Sequence, residues 1–199
     1  MTDPLLVALE RIVHTGRHLP RHPRGHVVLK EKDANATLSE LNIDCRGCGE
    51  VFVFTLDARS GNGRHIPLSE HTSKAAGVAW NKVCDGVFVW RSGAVIRVLV
   101  CELKSSTPHG ADWKEQLRSS SCFVRYLIEI AKHFLGVELP ANPVVFHAVA
   151  FHGGARPMGS GKRRTGVSKG TGYPTTALAD PGRMPVRNGG YVPLNALCR

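Results

Sequence analysis

The sequence predicts a mixed α/β (α+β) domain built on a central mixed sheet flanked by helices. Three observations predict it. Two apolar runs near the middle of the chain are joined by a short glycine-containing turn, a long amphipathic helix follows them, and a further apolar run follows the helix.

The elements follow in chain order. From 4 to 15, Leu5, Leu6, Ala8, Leu9, Ile12 and Val13 recur at helical spacing. Glu10 and Arg11 interrupt that run, which argues against a signal peptide, and no stretch has the length to span a bilayer. A cytoplasmic protein with no membrane partner is the expectation. After a His- and Arg-rich stretch, GHVVLKE reads as a strand, and VFVFTLD (51–57) is a second, ended by the glycines of RSGNGR. Residues 69–80 read as a helix with Ser69 as cap. CDGVFVW (84–90), a turn at RSG and AVIRVLVCELK (94–104) read as an antiparallel hairpin. In ADWKEQLRSSSCFVRYLIEIAKHFLG, Trp113, Leu117, Val124, Leu127, Ile128, Ala131, Phe134 and Leu135 line one stripe, with Gly136 as the stop. PVVFHAVAFH (143–152) is the next strand.

Past His152 the composition changes. Residues 1–152 read as the core domain and 153–199 as a basic Gly/Pro-rich extension, whose last apolar piece, YVPLNAL, docks back on the sheet as a strand. Lys and Arg outnumber Asp and Glu by 26 to 16, a net charge of +10, and 153–199 holds eight Lys or Arg against one acid. Such a balance fits a polyanionic partner, nucleic acid above all. Three of the six cysteines (Cys84, Cys101, Cys122) fall inside apolar patterns, where a thiol acts as a small hydrophobe. Without a secretory signal they imply a reducing compartment.

The candidate chemistry sits at the end of the second hairpin strand, CELKSS. Glu102 and Lys104 are two residues apart and share a face, with Val98 and Val100 beneath them, while Leu99, Cys101 and Leu103 face the other way. Asp85 opens the partner strand at the same end. Two carboxylates about 4 Å apart repel by roughly 4 kcal/mol at an effective dielectric of 20. A hard divalent cation removes that cost and can activate water against a phosphodiester. A lysine beside it can orient the water or neutralise developing charge.

This arrangement resembles the PD-(D/E)XK nucleases, the restriction-endonuclease-like superfamily. Asp85, then Glu102-Leu103-Lys104 closing the next strand, then a long helix and another strand carry the resemblance, over roughly residues 50–152. It implies a restriction-endonuclease-like fold in which Asp85, Glu102 and the backbone carbonyl of Leu103 hold Mg²⁺ (or Mn²⁺). Lys104 assists the attacking water, and Gln116 is the helix-borne glutamine of several subfamilies. Cys84 stands where proline is common. Ser120 stands where those subfamilies often carry tyrosine, which argues against the exonuclease branch. An additional acid from an upstream helix is common; Glu70 is the candidate, with Glu40 and Glu50 behind it.

Cys45 and Cys48 have the spacing of half a zinc knuckle, but His65 and His71 stand outside the usual finger spacing. GGARPMGSGKRRTG fails as a phosphate loop, with Arg156 at the required glycine and Arg163 at the required Ser/Thr. Lys162, Arg163, Arg164 and Lys169, with Lys114 and Arg118 on the helix, are the candidate nucleic-acid contacts. His109 is a weaker one; His147 and His152 are assigned no chemistry. The expectation is a Mg²⁺-dependent endonuclease acting on nucleic acid, DNA favoured, in restriction or another bacterial or phage defence role, as a homodimer or in a larger defence complex. The alternatives are a non-catalytic nucleic-acid-binding module using the zinc-like Cys pair and basic tail, and a subunit whose basic surface binds an acidic protein.

Overall fold

The computed structural model describes residues 2–31, 35–57, 82–139, 144–153, 178 and 180–198. The helix expected over 69–80, Glu70, His65, His71, and Lys162, Arg163, Arg164 and Lys169 lie outside the described residues.

Helix α1 (Pro4–Ile12) starts at Asp3, whose side chain accepts the Leu5 N–H at 2.9 Å. It ends earlier than the periodicity suggests, and a 3-10 turn follows at Thr15–Arg17. Strands β1 (His26–Lys30), β2 (Glu40–Asp44), β3 (Val51–Phe54), β4 (Gly86–Ser92) and β5 (Val95–Lys104) precede the long helix α2 (Asp112–Leu135). β6 (Val144–His152), β7 (Gly182–Pro185), β8 (Gly190–Pro193) and the short helix α3 (Leu194–Leu197) complete the chain.

The strands form two sheets where one was expected. The larger has the order β3-β4-β5-β6-β7, with β4 antiparallel to both β3 and β5, and β5, β6 and β7 parallel. The smaller has the order β1-β2-β8. Terminal strand β8 joins this second sheet, parallel to β2, and residues 194–197 turn helical instead of extending it. Both β7 and β8 come from the stretch beyond residue 152, so residues 182–193 supply a strand to each sheet. Ser92 pairs directly with Val95, which places the hairpin turn at Gly93-Ala94 and not at Arg91-Ser92-Gly93.

Strand parity divides the core into two layers. Val87, Val89, Val98, Val100, Phe146, Ala148 and Ala150 face α1 and α2. Phe88, Trp90, Leu99, Cys101, Leu103, Val149 and Phe151 face Val27, Leu29, Leu41, Ile43 and Val192 of the second sheet. At this seam a Cβ on Gly86 would come within 2.8 Å of Leu29 Cδ2 and 3.1 Å of Cys101 Sγ, so glycine is what lets the sheets close beside Asp85.

The buried stripe of α2 runs from Trp113 to Ala131 and stops there. Phe134, expected in it, is 80% exposed, because the chain turns at Gly136 and Val137 packs into the core instead. Cys122 is also exposed, while Cys45, Cys48, Cys84, Cys101 and Cys198 are buried. Among the described residues no helix is long and apolar enough to cross a membrane.

Candidate active site

Four of the residues singled out in the sequence come together where β4 begins, β5 ends and α2 passes over them. Glu102 follows Val98 and Val100 on the α2 side of β5 and is 4% exposed. Its Oε1 accepts from Lys104 Nζ at 2.6 Å and from Gln116 Nε2 at 2.8 Å. Lys104 Nζ also donates to Gln116 Oε1 at 3.2 Å. Asp85 stands just before β4, and its Oδ2 accepts the Leu103 N–H at 2.7 Å. The carboxylate thus takes over a ladder bond at the point where the β4 backbone leaves β5.

Helix α2 grips this corner through two side chains one turn apart. Gln116 Nε2 also donates to the Val83 carbonyl. Ser120, fully buried, accepts the Cys84 N–H at 2.9 Å and donates to the Gln116 carbonyl at 2.9 Å. Residues 83 and 84, which aim Asp85, are therefore tied to the helix that carries Gln116. Ser120 thus has a structural task of its own.

The electrostatics are those of a crowded, poorly solvated pair of acids. Burial pushes Glu102 up to about 7, against the charge and hydrogen bond of Lys104 and the bond from Gln116, and Glu31 adds to the rise. Asp85 keeps part of its surface accessible, yet burial and then the Glu102 charge push it well above the usual carboxylate range. The Leu103 N–H opposes that rise; Glu31 and Asp57 reinforce it. Glu31 and Asp57 were not among the candidates. The signal that picked out Glu102, an apolar strand closing on an acid, also picks out GHVVLKE and VFVFTLD. The other acids considered lie elsewhere: Glu40 pairs with Lys30 in the second sheet, and Glu50 Oε2 accepts the Asp3 N–H at 3.1 Å.

Glu102 Oε2 is buried and has no hydrogen-bond partner among the described residues. An enclosed carboxylate oxygen with no donor costs on the order of 1–3 kcal/mol, more when charged. Together with the raised Asp85, this all-oxygen donor set fits a hard divalent cation, Mg²⁺ or Mn²⁺. Among the described residues no three His, Cys, Asp or Glu side chains gather into a metal-holding group. Two carboxylates are nevertheless the number with which Mg²⁺ is commonly held, waters and substrate phosphate supplying the rest.

The remaining candidates are dispersed. Lys114 pairs with Asp180 at 3.1 Å and lies over the Trp113 ring. Arg118 is exposed on the same helix and is not without a partner. The buried Cys45 and Cys48 have thiols raised by burial, Cys45 to about 12, where a neutral thiol and not a thiolate is favoured. The chain matches no family model, no curated protein and no solved structure.

Proposed function

We propose that the protein is a metal-dependent nuclease that hydrolyses nucleic-acid phosphodiesters, DNA in preference to RNA. The observation that carries the reading is the buried Glu102 Oε2, which no described residue hydrogen-bonds, beside a second carboxyl raised by burial and by Glu102 itself. Asp85 and Glu102, with the Leu103 carbonyl, would hold Mg²⁺ or Mn²⁺, which when bound polarises the phosphodiester and lowers the pKa of bound water.

The chain's own groups do the rest. Lys104 has two of its three N–H donors on Glu102 and Gln116, and the third is left for a phosphate oxygen or the attacking water. Gln116, held on the Val83 carbonyl, keeps Lys104 and Glu102 in register. The net charge of +10 supplies long-range attraction for the polyanion.

The test is cleavage of plasmid and single-stranded DNA in Mg²⁺ or Mn²⁺ by the wild type, Asp85→Ala and Lys104→Ala. Cutting that needs the metal and falls by roughly 10²–10³ in each variant supports the reading. No cutting by the wild type, with salt-sensitive DNA binding kept in all three, replaces it with the binding module.

A further inference from the structure

Hydrolysis needs a group to receive the proton that the attacking water sheds, and Lys104 is not equipped for it. Its Nζ donates to Glu102 Oε1 at 2.6 Å and to Gln116 Oε1 at 3.2 Å, so the side chain is already engaged by two acceptors. In the proposed site the carboxylates are committed to the cation.

Directly beside Lys104 in the parallel ladder is His152, the last residue of β6. Ala150, two residues earlier, belongs to the core layer under α2, so alternation puts His152 on the same face as Glu102 and Lys104. His152 as a whole is 8% exposed. Its Nδ1 lies 3.0 Å from the Gly153 carbonyl oxygen, which can only accept, so Nδ1 carries the proton there. Thr107 Oγ1 lies 3.4 Å from the same nitrogen. A neutral ring protonated at Nδ1 has its lone pair at Nε2, and no described residue hydrogen-bonds that atom. The backbone around it is fastened on both sides. Gly153 N–H donates to the Lys104 carbonyl and Val186 N–H to the His152 carbonyl, both at 2.9 Å. A Cβ on Gly153 would come within 2.7 Å of the Ser105 carbonyl oxygen, so the two strand ends run in close contact. His147, in the same strand, differs: it lies on the opposite face, and its Nε2 lies 3.2 Å from an Arg97 nitrogen.

We infer that His152 is the general base of this site, an assignment that rests on the nuclease reading. Nε2 takes the proton as a water O–H bond breaks, and the water oxygen forms the new bond to phosphorus. The phosphorus–oxygen bond to the departing nucleoside breaks, and that oxygen takes a proton from solvent. Nε2 then returns its proton to solvent. Lys104 contributes charge and orientation, not proton transfer.

The test compares wild type, Lys104→Ala and His152→Ala on plasmid DNA in Mg²⁺ or Mn²⁺ at pH 8, by single-turnover rate. His152→Ala is expected to be slower by about 10²–10⁴-fold, the range of a general base, with oligonucleotide affinity in chelator within roughly twofold of wild type. Added imidazole is expected to restore part of the rate in His152→Ala and none in Lys104→Ala. Ring ¹⁵N spectra of the unmutated, metal-free protein at pH 8 are expected to show the His152 ring proton on Nδ1. Wild-type cutting that His152→Ala retains in full, or a ring protonated at Nε2, overturns the assignment and leaves the nuclease reading standing. A folded His152→Ala that imidazole does not rescue does the same. No cutting by the wild type removes both.

Discussion

Glu102→Gln separates a carboxylate kept for chemistry from one kept for stability. In the folded protein burial raises Glu102 from 4.5 to about 7. The native state therefore holds its proton where the unfolded chain has lost it, and stability falls as pH climbs from about 4.5 to 7. Below that window the term is fully present as stability; above it the term is gone. At 1.36 kcal/mol per unit the loss is about 3 kcal/mol. Glutamine keeps the shape and an acceptor for Lys104 and cannot ionise. In chelator at pH 8, Glu102→Gln is expected to be more stable than wild type by about 2–3 kcal/mol, or roughly 4–12 °C in Tm, and nearly equal to it at pH 4.5. Urea unfolding of both proteins at the two pH values reads the difference; the subtraction cancels the titrating groups that Glu102 does not touch, and Asp85, which the Glu102 charge raises, stays in it. Added Mg²⁺ is expected to stabilise wild type by linkage and not the variant, which loses cleavage. A variant less stable than wild type at pH 8, or a difference that does not change with pH, would refute the reasoning.

Two further outcomes follow, the first from the geometry and the second from the sequence. Ser120→Ala leaves the buried Cys84 N–H without its acceptor, an expected loss of about 1–3 kcal/mol in urea unfolding, with slower cleavage because residues 83–85 are no longer held to α2. Replacing Arg163 and Arg164 together by Ala is expected to flatten the dependence of log affinity for duplex DNA on log salt by roughly 2. Fluorescence anisotropy across a salt series measures it, and an unchanged slope would take both side chains out of the interface.

The parts of the fold read from sequence are those with a strong apolar period. Strand β5, α2 and β6 are apolar over several turns or pleats, and the alternation in AVIRVLVCELK places Glu102 and Lys104 on the correct face. β2 was missed although ELNID alternates, because it is short and borders on acids and asparagine that also suit a loop. The second sheet was missed with it, since its pairing joins residues 41–44 to 190–193, a separation that no local pattern reveals. Phe134 shows the reverse error: helical spacing continues past Ala131, but the core does not. The triplet of Asp85, Glu102 and Lys104 was legible because each closes or opens an apolar run. His152 closes one too, but its tautomer and its place beside Lys104 need the β5–β6 register, which sequence does not contain.

That register also accounts for where the site lies. β5 is antiparallel to β4 and parallel to β6, so its carboxyl end meets the start of one neighbour and the finish of the other. Asp85, Glu102 with Lys104, and His152 are brought to one edge by this switch in direction. A parallel β5–β6 pair requires a crossover, and α2 supplies it, which carries Gln116 and Ser120 over the same edge. The apolar packing of Leu117 and Val124 that fastens the crossover therefore also sets the distance from Gln116 to Glu102. A slip of one residue in the β4–β5 ladder would turn Glu102 and Lys104 toward the second sheet, among the fully packed Phe88 and Phe151, where two charges have no partners. The apolar parity of β5 thus selects the sheet register and the geometry of the candidate site together.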